Sequence, residues 1–219
     1  MNFTEFRYIA DLIKRFPELV PVQSILHQAV RLLEDAVRNN GKVLVCGNGG
    51  SAADAEHIVG ELMKSFLIKR KLSHLNRQRL ERFLGENDND IIPNLQQPIP
   101  AISLVSGLSF PTAYANDVGS DHVFAQQVLA LGSEGDVLWT LSTSGQSRNI
   151  LNAMKVSKAL GLKTILLTGA QSGPGRPFCD VEITVPRRQT YLIQEIHTPV
   201  YHAICADLEF QLYGEHTPT

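Results

Sequence analysis

Cysteine is scarce in this sequence, and what there is forms no framework. Cys46, Cys179 and Cys205 are odd in number, far apart and without a C-x-x-C spacing, which argues against a disulfide scaffold and against a zinc knuckle. Excess charge is equally scarce. A formal net charge of −2 gives no electrostatic case for a nucleic acid or an anionic membrane as partner. Long apolar runs are missing as well: nothing approaches the about 20 residues that cross a bilayer, and the start of the chain, Met1 to Arg7, carries no uninterrupted apolar run. A soluble, cytoplasmic protein is expected. Its 219 residues suffice for one α/β domain, 1–219, with a large core.

What is present is organised around Lys42 to Phe66. Lys42-Val-Leu-Val-Cys46 is short, apolar and β-branched, as a strand covered on both faces should be. Gly47-Asn-Gly-Gly-Ser51 follows as a turn whose glycines permit unusual backbone angles and leave N–H groups uncovered where a helix begins, the outline of an anion site. Asp54, His57 and Glu61 come next at steps of three and four, which puts them on one helix face. Two plainer readings stay open on spacing alone. Such turns also serve only to pack a helix on a sheet, and a His and Glu four apart can be a solvated pair.

Helical periodicity covers about residues 3 to 40. Ile9, Leu12, Ile13 and Phe16 share one face, Pro17 and Pro21 interrupt, and a second helix from about Val22 places Ile25, Ala29, Leu32, Leu33 and Val37 at helical spacing before Asn39-Asn40-Gly41 closes it. These N-terminal helices, in 1–40, could cover a sheet face or pair with another subunit. Residues 68–98 form a polar insertion, basic at first (Lys69-Arg-Lys71, Arg77, Arg79, Arg82) and then acidic (Glu86, Asp88, Asp90), with a short helix expected at about 76–84. It reads as a solvated surface excursion, because basic residues without interleaved aromatics make a poor nucleic-acid patch.

Strands are expected at Pro100 to Val105, Gly135 to Leu141, Lys163 to Thr168 and Val181 to Val185. A helix carrying Tyr114, Asn116, Asp117, Phe124 and Val128 follows the first of these, and one carrying Ile150, Leu151, Met154 and Ala159 inward follows the second. Between strand and helix, Ser142-Thr-Ser-Gly-Gln-Ser147 crowds four hydroxyls where a cap needs one, so Ser142, Thr143, Ser144 and Ser147 are candidate donors to a phosphate. The last helix, about Thr190 to Leu212, buries Ile193, Ile196, Ile204 and Leu208 and puts Gln194 and His202 on one face. Pro199 should bend it or cost it a hydrogen bond. Strands alternating with helices predict a three-layer α/β/α fold, with a five-stranded parallel sheet of flavodoxin or Rossmann type and ligands at the carboxyl ends of the strands.

Together, Gly47-Asn-Gly-Gly-Ser51, the His57/Glu61 pair, Asn116-Asp117, Ser142 to Ser147 and Gln194-Glu-Ile-His197 through His202 resemble the sugar isomerase (SIS) domain family, and within it the bacterial phosphoheptose isomerases. The resemblance runs from about residue 22 to 210, interrupted at the insertion. It implies an aldose–ketose isomerase acting on sedoheptulose 7-phosphate. Asn48, Gly49, Gly50, Ser51, Asn116, Asp117, Ser142, Thr143, Ser144, Ser147 and Gln194 would hold the sugar phosphate. Glu61 and His202 would be the catalytic base and its partner. It further implies one zinc per subunit on His57, Glu61, Gln194 and His202, and a homotetramer with shared active sites. Ala52 and Ala53 replace a His-Cys pair often seen in the family, and Tyr191 stands where an acidic substrate-site residue can occur, departures that bear on substrate identity. The same resemblance admits an isomerase of another ketose phosphate. It also admits a non-catalytic relative that senses sugar phosphate or binds a replication initiator. Retention of both Glu61 and His202 favours the enzyme.

Overall fold

The computed structural model describes residues 6–84, 90–171 and 173–214. Its five strands are β1 (Val43–Gly47), β2 (Ala101–Ser103), β3 (Val137–Leu141), β4 (Lys163–Thr168) and β5 (Val181–Thr184). They form one parallel sheet in the order β2-β1-β3-β4-β5, as the alternation of elements predicts. Strands β1 and β3 are buried at every position, which is why β1 reads as an unbroken apolar run and β3 is interrupted only by Thr140, whose hydroxyl donates to the Ile165 carbonyl at 3.0 Å. Their side chains alternate between two cores. Val43, Val45, Val137, Trp139, Ile165 and Leu167 face one side, and Leu44, Cys46, Leu138 and Leu166 the other.

The first core is covered by α1 (Arg7–Arg15), α2 (Gln23–Arg38), α3 (Gly50–Met63) and α9 (Thr190–Tyr213), the second by α7 (Val123–Leu131) and α8 (Arg148–Ala159). Helices α4 (His74–Phe83), α5 (Ile91–Asn94) and α6 (Ser109–Asp117) bury no residue. The N-terminal helices thus cover a sheet face. Pro17 opens a 3-10 turn that runs to Val22 through Pro21, and α2 starts directly after it. Asn40 ends α2 in the left-handed region (φ 64°), and Gly41 N–H donates to the Ala36 carbonyl at 2.8 Å, so the expected stop has a definite cap.

Some expectations need correction. The buried stripe of α2 is Leu26, Ala29, Val30, Leu33 and Ala36, with Ile25, Leu32 and Val37 only half-buried, one step round the helix from the expected face. The single helix through Tyr114 and Val128 is two, because Gly119 takes φ 129° and a 3-10 turn (Ser120–His122) intervenes. On α8, Ile150 and Met154 are buried but Ala159 is exposed. Pro199 lies inside α9, as expected, and the helix runs through it as one element. Within the insertion, α4 is capped by Ser73, whose Oγ accepts from Asn76 N–H at 3.2 Å, and it is solvated as expected. Arg70 is the exception: it is buried against Glu209. Glu86 and Asp88 lie outside the described residues.

In the 2-1-3-4-5 order the chain leaves β1 toward one edge of the sheet and β3 toward the other. The crevice between their carboxyl ends is the switch point at which parallel α/β sheets bind ligands. The loops Gly47 to Ser51 and Ser142 to Ser147 leave β1 and β3 there.

Candidate active site

The first loop is shaped by what its glycines exclude. Gly49 adopts φ 56° and ψ −121°, a region that strains any side chain. A Cβ on Gly47 would lie 2.3 Å from the Ser51 carbonyl oxygen, so the turn closes only without one. A Cβ on Gly50 would meet Gln194 Nε2 at 2.4 Å, which places Gln194 of α9 directly on the start of α3. Asn48 is exposed at this turn and Ser51 is buried beneath it.

In the second loop, Ser142 is buried with its Oγ 3.3 Å from Ser147 Oγ, and Ser147 begins α8 without its side chain capping the helix backbone. Gly145, at φ 63°, donates its N–H to the Ser142 carbonyl at 3.0 Å, Thr143 accepts from Gly169 N–H at 3.1 Å, and exposed Ser144 accepts from Gln146 N–H at 3.2 Å. Hydroxyls and a helix start thus gather at each loop, the donor chemistry of a phosphate site. A reciprocal amide pair ties the two loops: Asn48 Nδ2 donates to Asn149 Oδ1 at 3.0 Å, and Asn149 Nδ2 to Asn48 Oδ1 at 2.9 Å.

The acid–base candidates meet elsewhere on α3. His57 Nε2 is 3.3 Å from Glu61 Oε1 and 3.4 Å from His202 Nε2, with the two imidazoles edge to face at 4.9 Å. Lys64 Nζ sits 2.6 Å from the other Glu61 oxygen. Two helices make this meeting. α3 and α9 run in the same direction side by side, so Gln194 lies beside Gly50, His202 beside His57 and Glu209 beside Phe66. At 1.5 Å per residue, His57 is about 10 Å and Glu61 about 16 Å along α3 from Gly50. One chain therefore holds the phosphate-type loops with Gln194 as one group, and His57, Glu61 and His202 as a second group further along. Asn116 and Asp117 end α6, exposed, with Asn116 Nδ2 donating to Asp117 Oδ1 at 2.9 Å. Among the described residues neither hydrogen-bonds to the other two groups. Ala52 is half-buried, and Ala53 and Tyr191 are exposed.

Burial lowers the His202 pKa, and the neighbouring His57 adds to the effect against an opposing pull from Glu61, which leaves the His202 imidazole neutral near pH 7. His197 is a core histidine: it is wholly buried, neither ring nitrogen has a hydrogen bond of ordinary geometry, and burial pushes it down to about 4. Two imidazoles and a carboxylate are donors of the type zinc takes. Among the described residues, however, no three His, Cys, Asp or Glu side chains are arranged to hold an ion, and Gln194 stands two turns of α9 away from His202. A cavity of about 460 Å³ beside Arg31 and Lys163 and one of about 540 Å³ beside Arg7 and Tyr213 contain none of these residues.

Sequence reading missed Asn149 and Lys64, and it passed over Tyr201, whose hydroxyl contacts Asp54 and His57. Asn149 follows Ser147 by two residues, and only the folded position of its helix brings it to Asn48. Tyr201 sits at an apolar step of α9, where nothing marks its hydroxyl. No helix among the described residues is long and apolar enough to cross a membrane.

The chain is similar to proteins of one family. The SIS domain model matches residues 6–75 and 94–169, leaving out most of the insertion. A phosphoheptose isomerase of Helicobacter pylori strain P12 is 39% identical over 94% of this chain and 92% of its own length, and one of Aliarcobacter butzleri is 38% identical over 87% of both. Solved phosphoheptose isomerases agree in fold. That of Francisella tularensis superposes with a TM-score of 0.73 at 31% identity, covering 92% of this chain and 94% of its own. That of Neisseria gonorrhoeae gives 0.71 at 33%, covering 91% and 94%. With the family match over most of its length, relatives at 38–39% identity and the shared parallel sheet, the chain belongs to the SIS domain family and, within it, to the phosphoheptose isomerases.

Proposed function

We propose that this chain interconverts sedoheptulose 7-phosphate and D-glycero-D-manno-heptose 7-phosphate, with Glu61 and His202 moving the proton. The observation that carries the reading is the meeting of Glu61 from α3 and His202 from α9 at Nε2 of His57, at 3.3 and 3.4 Å. An aldose–ketose exchange transfers a proton between C1 and C2 through an enediol. It needs a base at carbon and a donor at the carbonyl oxygen. Glu61 takes the proton from one carbon and returns it to the other. His202, neutral, gives its N–H proton to the carbonyl oxygen and takes one back from the neighbouring hydroxyl as that oxygen becomes the new carbonyl, so the O–H proton passes between the oxygens while Glu61 passes the C–H proton between the carbons.

The phosphate is assigned to Ser51 and the Ser142 to Ser147 loop, with Asn48, Gly49, Gly50, Asn116, Asp117 and Gln194 around the sugar. The distance along α3 between loops and acid–base pair supports a homotetramer in which neighbouring subunits complete each site. Leu108 (83% exposed) and Val118 (61%), which flank α6, suit burial in such an assembly. Zinc belongs to the same reading on donor chemistry alone: His57, Glu61, Gln194 and His202 are donors of the type it takes, and they would have to draw together from their present spacing to hold it. When bound it would supply a Lewis acid for the substrate oxygens. A cytoplasmic location fits a substrate of this kind.

The test is a coupled isomerisation assay over a panel of ketose phosphates, run with and without added zinc, alongside calorimetry and light scattering on the same samples. Turnover of the heptose phosphate by a tetramer is expected. Binding of sugar phosphates without turnover of any would replace the isomerase by a sensor, and a monomer at micromolar concentration would end the shared-site reading.

A further inference from the structure

Asn149 stands half-buried in the first turn of α8 and meets Asn48 of the first loop across the crevice between β1 and β3. The two amides exchange hydrogen bonds at 3.0 and 2.9 Å. Such a pair is symmetric: turning both amides over would leave two equally good bonds, so the pair alone does not decide which end of Asn48 is the donor. Ile150 breaks the symmetry. Its backbone N–H, in the first turn where a helix leaves such groups without a carbonyl, donates to Asn149 Oδ1 at 3.0 Å. A backbone N–H can only donate, so Asn149 Oδ1 must face it, Asn48 Nδ2 must face that oxygen, and Asn48 Oδ1 is left to accept from Asn149 Nδ2. The orientation thus passes from the backbone of α8 to a side chain of the other loop. The pair uses one of the two protons on Asn48 Nδ2, and the second remains at an exposed turn, at the crevice where parallel sheets bind ligands.

We propose that Asn149 is a positioning residue: it fixes the amide of Asn48 so that the spare N–H is offered to an accepting oxygen of the sugar. Asn149 acts through Asn48 and not on the substrate. An untethered asparagine at an exposed turn can present either end of its amide, and its carbonyl end repels an oxygen that only accepts. Fixing the donor end beforehand settles that choice, and its rotamer entropy, before the substrate arrives. The hydrogen-bond directions stand on geometry alone; the consequence for turnover rests on the isomerase reading, in which Asn48 borders the sugar while the hydroxyl loops hold the phosphate.

Asn149→Ala removes the tether and leaves Asn48 in place. It should raise KM for sedoheptulose 7-phosphate about tenfold, with kcat within about threefold. Inorganic phosphate has no sugar to meet Asn48, so its calorimetric Kd should stay within about twofold of the wild type. In the Asn48→Ala background the same substitution should add less than about twofold to KM, because the residue it acts through is gone. Asn149→Ser, whose hydroxyl stays at the helix start and stops short of Asn48, should give the same rise in KM and guards against a folding defect in the Ala variant. Unchanged KM in Asn149→Ala and Asn149→Ser overturns the proposal. So do independent, multiplying effects in the double variant, and so does a loss of phosphate affinity equal to the rise in KM, which would make the pair a staple between the loops. If the wild type turns over no sugar phosphate, the isomerase reading falls and calorimetric Kd values for sedoheptulose 7-phosphate replace KM in the same comparison; a wild type that does not bind that sugar phosphate overturns this proposal as well.

Discussion

Arg70 and Glu209 form an ion pair from which water is wholly excluded, Nε to Oε1 at 2.6 Å. Glu209 also accepts from the backbone N–H groups of Phe66, Leu67 and Ile68 at 2.7 to 2.9 Å, and Arg70 donates to the carbonyls of Leu62 and Glu61 at 2.6 and 2.7 Å and to that of Lys64. Every charge is matched by directed partners. The guanidinium also fills the role of a cap for the last turn of α3, the turn that bears Glu61. Glu209→Ala should therefore cost about 3–5 kcal/mol, the range for stranding one member of a buried pair. Urea unfolding checks it, and a loss below 1 kcal/mol would show that water relieves the stranded guanidinium.

The first loop should distinguish its glycines. Gly47→Ala forces a Cβ onto backbone at Ser51, which cannot retreat without opening the turn. Gly50→Ala meets only the tip of the Gln194 side chain, which can swing away. Gly47→Ala should lose stability on the order of 1–3 kcal/mol, whereas Gly50→Ala folds almost normally and instead raises KM by displacing Gln194. Thermal unfolding and kinetics on both variants test the pair; equal stability losses would refute the distinction.

At the acid–base pair, Glu61→Gln keeps size and hydrogen bonding while removing the base. Turnover should fall by about 10²-fold or more, with sugar-phosphate binding by calorimetry largely preserved. Ser144 lies in the other group, so Ser144→Leu should raise KM strongly and spare kcat. Normal turnover by the Gln variant would remove Glu61 from the mechanism.

Asp207 of α9 holds the first turn of α1, accepting from Tyr8 N–H at 3.0 Å and Ile9 N–H at 2.8 Å. Burial pushes its pKa up to about 6 in spite of those donors. The folded value thus exceeds the unfolded one, so between about pH 4 and pH 6 the native state keeps a proton that the unfolded chain has released. Its contribution is full below that window and lost as pH rises through it, an order of 3 kcal/mol. Urea unfolding across the window, compared with Asp207→Asn, should show a downward slope present in the wild type and absent in the variant.

The thiols should be inert. Cys46 and Cys205 are buried with their pKa values driven up by desolvation, and Cys179 is pushed to about 12 by the same cause. Iodoacetamide at pH 8 is expected to label none of the three in the native protein and all three in urea, as mass spectrometry would report.

The sequence by itself determined the layers of this protein. A strand buried on both faces has to be largely apolar, with any threonine hydrogen-bonded or at its end, so β1, β3 and the Ile165 to Leu167 centre of β4 are visible as runs. Gly and Asn have to stand where backbone turns left-handed, so the end of α2 and the first loop are visible too. Short range suffices for such features. Tertiary structure decided the partners. Arg70 sits in a basic run and reads as solvated, and only the packing of α9 beside α3 supplies Glu209 and buries it. The same packing brings Tyr201 to Asp54 and His57, and His202 to His57, from residues about 145 apart in the chain. It also set the distance between acid–base pair and phosphate loops, because a rigid helix carries Glu61 away from Gly50 at a constant rise per residue. Residue types report what a position can do chemically. Which groups meet depends on how whole helices lie against the sheet, a global property that no local spacing contains.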